Sequence, residues 1–120
     1  MRWVLITAAI FGAFSVIIGA ALRHLGDDMN MDSLQIALHY HQLHSVVLLA
    51  FGLYALNKPC SVGLIVPAGL FIAGIFLFSG SLYVSELFSW PGLTTLTPLG
   101  GISLIAAWFS LILVTNRSSL

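Results

Sequence analysis

The stretch WVLITAAIFGAFSVIIGAAL, Trp3 to Leu22, runs for twenty residues without a charge. Wound as a helix, it is about 30 Å long, the thickness of a bilayer's hydrocarbon core. Three more apolar runs follow, which places spans over residues 3–22, 34–56, 62–83 and 98–114. The last gives about 25 Å of helix, the short end for a crossing. Lipid offers the backbone no hydrogen bonds, so segments of this kind must be helical. The expected fold is therefore all-α, an integral membrane four-helix bundle forming one domain over residues 1–120. Composition agrees. Only 7% of the residues are charged, against about 25% in a soluble domain.

The first run, with Arg2 ahead of it and small residues near Gly19, has some look of a signal peptide. A signal peptide's apolar core is usually about 7–15 residues. This run is longer and three others follow, so it reads as a retained span.

The polar breaks read as turns. RHLGDDMNMDS, residues 23–33, is the longest connection and holds most of the acids; NKPCS and SWPGLTT supply the other two. Trp3 and Trp90 suit opposite interfacial belts. Thr97 before Pro98 reads as a cap with proline in the first turn. With four spans, both termini and the NKPCS turn share a side holding Arg2, Lys58 and Arg117, against Arg23 on the other. The positive-inside rule then puts both termini in the cytoplasm, or in the matrix for a mitochondrial inner membrane. A net charge of zero and the lack of a basic stretch argue against nucleic acid.

Small residues recur at spacings that let membrane helices approach closely. Gly12, Gly19, Gly80, Gly100 and Gly101 are the expected contact points.

The stretch HYHQLH, residues 39–44, puts three histidines in six positions of an apolar run. A helix turns about 100° per residue. Tyr40, His41 and His44 then share one face, and Gln35, His39 and Gln42 the other. By helix rise, His44 lies about 15 Å into the span, with His39 and His41 shallower and expected to be incidental. A buried imidazole must satisfy a donor and an acceptor. His24, Ser79, Ser81, Tyr83 and Thr97 lie toward the same side of the membrane and are the expected partners of Tyr40 and His44.

These residues resemble the domain of unknown function 423 family, which includes transmembrane protein 256-like proteins. LFSGSLY at 77–83 and TPLGG at 97–101 are the most specific pieces; YHQLH at 40–44 and GAALRH at 19–24 add to them. The resemblance implies a small four-helix membrane protein of a bacterial or mitochondrial inner membrane. It singles out Gly19, His24, Tyr40, His44, Ser79, Gly80, Ser81, Tyr83, Thr97, Pro98, Gly100 and Gly101. The family has small residues where this chain has Leu22 and Arg23, and often glutamine where His41 stands. It implies no reaction.

No acid or base lies deep in a span, and no nucleophile has a base beside it. The expectation is a structural module, or an accessory subunit of a larger membrane complex such as a respiratory one. Its partners would be the lipid bilayer and other membrane subunits or further copies of itself, with no cofactor. One alternative is haem or a divalent metal on His44 with His24 or His41, although two histidines leave a structural zinc site incomplete. Another is a small dimeric transporter or proton relay through His24, Tyr40 and His44. The acid such exporters carry in the first span is missing.

Overall fold

A computed structural model describes residues 1–24 and 30–118, with side chains through residue 114. The expected loop acids Asp27 and Asp28 fall outside the described residues. The ordered elements are α1 (Arg2–Leu22), α2 (Met31–Ala55), α3 (Val62–Gly74), a π-helical segment (Ile75–Gly80), α4 (Ser81–Leu87), a 3₁₀ segment (Pro91–Leu96) and α5 (Thr97–Ser118). Helix α3, the π segment and α4 run on as one third span, Val62–Leu87; the fourth is Pro91–Val114. There is no strand among the described residues.

Two boundaries differ from the sequence reading for identifiable reasons. Helix α2 begins at Met31 because the Asn30 side chain accepts from the Ser33 amide at 3.2 Å, capping the first turn. Asp32 then lies in that turn, where the helix dipole favours an acid. Thr97 is not the cap of the last helix. The chain enters through the 3₁₀ segment, and Thr97 is already in right-handed helical conformation. Its hydroxyl is free to reach Ser81 on the preceding span, at 2.5 Å.

The helices form two hairpins, α1 with α2 and the third span with α5, joined where α2 lies along the third span. Their outward faces are apolar. Ile6, Ile10, Phe14 and Ile17 on α1 and Ile102, Ile105, Phe109 and Ile112 on α5 are all at least half open or nearly so. Water would not tolerate so much exposed aliphatic and aromatic surface. Lipid does, so helix contacts must come from packing and interhelical hydrogen bonds.

Packing falls into two apolar cores. One gathers Leu22, Leu34, Ala37, Leu38 and Tyr83. The other is larger and is built around Val4, Leu48, Phe51, Phe71, Ile75 and Leu104. Along α2 the buried residues Leu34, His41, Leu48 and Ala55 recur every seventh position, a seam facing the neighbouring helices. His41, His44 and Ser45 occupy that seam between the two cores.

Two glycines permit the closest backbone approaches. A Cβ on Gly52 would come within 2.8 Å of the Leu5 backbone, where α1 crosses α2. One on Gly100 would meet the backbone of Leu77 at 2.6 Å, inside the π segment. The other expected contact glycines sit more loosely. Gly19 faces Leu38 at 3.4 Å, Gly101 faces Phe78 at 3.8 Å, and Gly12 and Gly80 have no atom within 4 Å of a built Cβ.

Candidate functional site

The two inward histidines of α2 tie it to the other three spans. His41 bonds through Nε2 to the Phe11 carbonyl of α1 at 2.9 Å and through Nδ1 to the Tyr83 hydroxyl of α4 at 3.0 Å. His44 bonds through Nδ1 to the Tyr40 carbonyl one turn back at 2.8 Å. Its Nε2 accepts from the indole Nε1–H of Trp108 on α5 at 3.1 Å.

The partners dictate the tautomers. A carbonyl can only accept and an indole N–H can only donate. His44 must therefore carry its proton on Nδ1, facing the Tyr40 carbonyl, and keep a lone pair on Nε2 for Trp108. His41 must carry a proton on Nε2, facing the Phe11 carbonyl. A neutral imidazole is far less costly to bury than a charged one, so His41 Nδ1 accepts from the Tyr83 hydroxyl. Two histidines three residues apart thus hold opposite tautomers, each dictated by its partners.

Serines extend the seam. Ser79 Oγ–H donates to the Ala37 carbonyl of α2 at 2.7 Å, and Ser103 on α5 donates to the Leu70 carbonyl of α3 at 2.8 Å. The third span lies between α2 and α5 and needs polar groups on two sides. Ser79 and Tyr83, four apart, both reach α2. Ser81, about 200° around the helix from Ser79, reaches Thr97 on α5 instead. Among the described residues, no buried side-chain nitrogen or oxygen is left without a partner.

Aromatic rings close around His44. Tyr40 stacks on it with centroids 5.7 Å apart and planes 7° apart, while Trp108 and Phe71 approach at 6.0 and 6.1 Å. Trp108 is 44% exposed. Its ring faces lipid while its N–H points inward, which explains an indole in mid-span rather than at an interface.

Of the expected polar cluster, Tyr40, His44, Ser79, Ser81, Tyr83 and Thr97 are all drawn into the seam or its margin. Tyr40 contributes its carbonyl and ring face. His24 stands exposed in the turn after α1, and His44 takes its partners elsewhere. The expectation that His41 is incidental is corrected: it is 5% exposed and bonds on both sides. His39 is exposed, with Gln35 and Gln42.

Trp108 was absent from the expected partners of His44. Counting helix rise would have found it: eleven residues past Thr97 is about 16 Å, close to the depth of about 15 Å for His44 counted from Leu34. Replacing Trp108 with phenylalanine keeps the ring and removes the donor. The expected loss is about 0.6 kcal/mol and no more than about 1.7, the range for single interhelical bonds in a membrane protein. A reversible unfolding titration in mixed micelles measures it.

The model of the family described as "Protein of unknown function (DUF423)" matches residues 11–101 of this chain. The chain belongs to this family. Among the relatives of this chain, the UPF0382 membrane protein YwdK of Bacillus subtilis is 33% identical over 117 residues, covering 90% of this chain and 94% of that protein. The UPF0382 inner membrane protein YgdD of Escherichia coli K12 is 33% identical over 114 residues, covering 89% and 84%. A UPF0382 membrane protein of Staphylococcus haemolyticus is 30% identical over 121 residues, covering 98% of each. No solved structure matches the chain. With four helices long and apolar enough to cross a bilayer, this DUF423 protein is a small polytopic membrane protein, and the seam is its most organised polar feature.

Proposed function

We propose that the protein is a structural membrane module, acting as an accessory subunit of a larger membrane complex, in which the seam holds four short spans in a fixed arrangement. One observation carries the reading. All four ring nitrogens of His41 and His44 are occupied by partners within the chain. A histidine that binds metal or haem presents a free nitrogen lone pair. Here the only lone pairs, on His41 Nδ1 and His44 Nε2, already accept from Tyr83 and Trp108. Chelation would require breaking both bonds and leaving those donors unpaired in an apolar interior, an expensive exchange.

The proposed orientation has both termini on the cytoplasmic side. It is supported by the basic residues Arg2, Lys58 and Arg117 and by the Met1 nitrogen donating to the Lys58 carbonyl at 3.1 Å, which sets the start of α1 beside the 57–61 turn.

The reading predicts a co-migrating assembly when the protein is extracted from its native membrane in a mild detergent. Mass spectrometry of that band should identify other membrane polypeptides. The opposite finding would be a purified chain with ligand-dependent activity that His44→Ala abolishes while the fold persists.

A further inference from the structure

Gln42, on the exposed face of α2 with Gln35 and His39, takes no part in the seam and is the deepest of the three. Gln42 is the twelfth of the twenty-five residues of α2, at its middle. Counted from Leu34, as for His44, about 12 Å of helix separates it from the outer end of the span, more than a short amide can bridge. It is exposed, and among the described residues it has no hydrogen-bonding partner. In a bilayer that exposure is to hydrocarbon, where an unpaired amide is costly.

Gln42 borders a groove of about 480 Å³ between α1 and α2, walled by Ala9, Gly12 and Ala13 on one side and Val46 and Leu49 on the other. Gly12 is the middle residue of α1, and a Cβ there would touch nothing within 4 Å. Packing within this chain therefore does not require the groove to be empty. Beside it runs a ridge on α2: Val46, Leu49 and Leu53 are 64%, 37% and 59% exposed.

We propose that this α1–α2 face binds a second copy of the chain within the membrane, with Gln42 hydrogen-bonded to Gln42 of the partner subunit. Three features select a second copy over an unrelated helix. A primary amide is both donor and acceptor, so it complements itself. A two-fold axis along the membrane normal brings each residue to its own counterpart at equal depth, so an amide at mid-span meets another at mid-span. The patch also carries a groove of small residues and a ridge of larger ones side by side, the self-complementarity that an isologous interface needs. His41 and His44 point away from this face into the seam, so the inference stands whether or not the accessory-subunit reading holds.

The test uses the full chain in lipid vesicles, with single-molecule photobleaching to count copies across a range of densities. The wild type should dimerise. Gln42→Leu, which removes the amide, and Gly12→Leu, which fills the groove, should each raise the dissociation constant about tenfold, the loss of one or two interhelical hydrogen bonds or their equivalent in packing. In a Cys60→Ser background, oxidation should cross-link Gln42→Cys to itself but not Leu43→Cys, which lies about 100° around the helix. The cross-link reports the interface even if a leucine variant folds poorly. Four results would each overturn the proposal: a monomeric wild type, dimers indifferent to both leucine variants, equal cross-linking at positions 42 and 43, or Gln42-dependent association with a different polypeptide only.

Discussion

Gly100→Ala should unfold this protein more readily than a methyl added at Gly12, Gly19, Gly52, Gly80 or Gly101. The new Cβ would lie 2.6 Å from the Leu77 carbonyl carbon and 2.7 Å from Phe78 Cα. Both are backbone atoms of the π segment, so no side-chain rotation relieves the clash, and α5 must move away from the third span. That shift would also strain the Ser81–Thr97 bond and the packing of Gly74 under Leu104, where a Cβ would already sit within 2.5 Å of the leucine. Overpacking typically costs about 1–3 kcal/mol. A backbone-to-backbone clash belongs at the upper end, about 3 kcal/mol. The neighbouring substitution supplies the contrast. Gly101→Ala meets nothing closer than 3.8 Å and should be neutral or stabilising by up to about 1 kcal/mol, since alanine is the better helix former. Unfolding midpoints of the two variants, measured in the same micelles, should move in opposite directions or by very different amounts.

The second large effect is expected at His41. His41→Ala removes two interhelical bonds, leaves the Tyr83 hydroxyl without its acceptor, frees the Phe11 carbonyl and opens a cavity between the two apolar cores. Interhelical bonds in membranes average about 0.6 kcal/mol each. The unpaired buried group and the cavity add more, for a total of about 2–4 kcal/mol. His39→Ala, on the exposed face two residues away, should change stability by less than about 0.5 kcal/mol. Equal effects at the two positions would mean that the seam does not divide the histidine run as described.

That division shows what the sequence could and could not convey. The four spans were legible because charge-free runs of about twenty residues admit one structure in lipid. The separation of His39 from His41 and His44 was legible from helical turn alone. The importance of His41 was not, because distance along the helix gives depth in the membrane, whereas burial depends on which face meets a neighbour. In water a hydrophobic stripe marks that face. Here polar residues stand on both faces of α2 among apolar ones, and the seven-residue spacing of Leu34, His41, Leu48 and Ala55 stands out only once the neighbours are placed. The glycines illustrate the same limit. TPLGG announced a close contact near Gly100 and Gly101, but the rotation that turns Gly100 toward the third span and leaves Gly101 loose is a tertiary property. The π segment has no composition of its own. It adds one residue to a turn where the backbones of the third span and α5 meet, and such bulges tend to mark sites under functional or packing constraint.

The seam rests on an assignment that can be read directly. Nitrogen-15 NMR of histidine-labelled protein in lipid bilayers distinguishes the two neutral tautomers, and single histidine substitutions assign the signals. The expected spectrum has His41 protonated at Nε2 and His44 protonated at Nδ1, unchanged on addition of zinc or haem. The same tautomer at both residues, or a shift of either ring on adding zinc or haem, would contradict a seam whose histidines serve only to fasten the helices together.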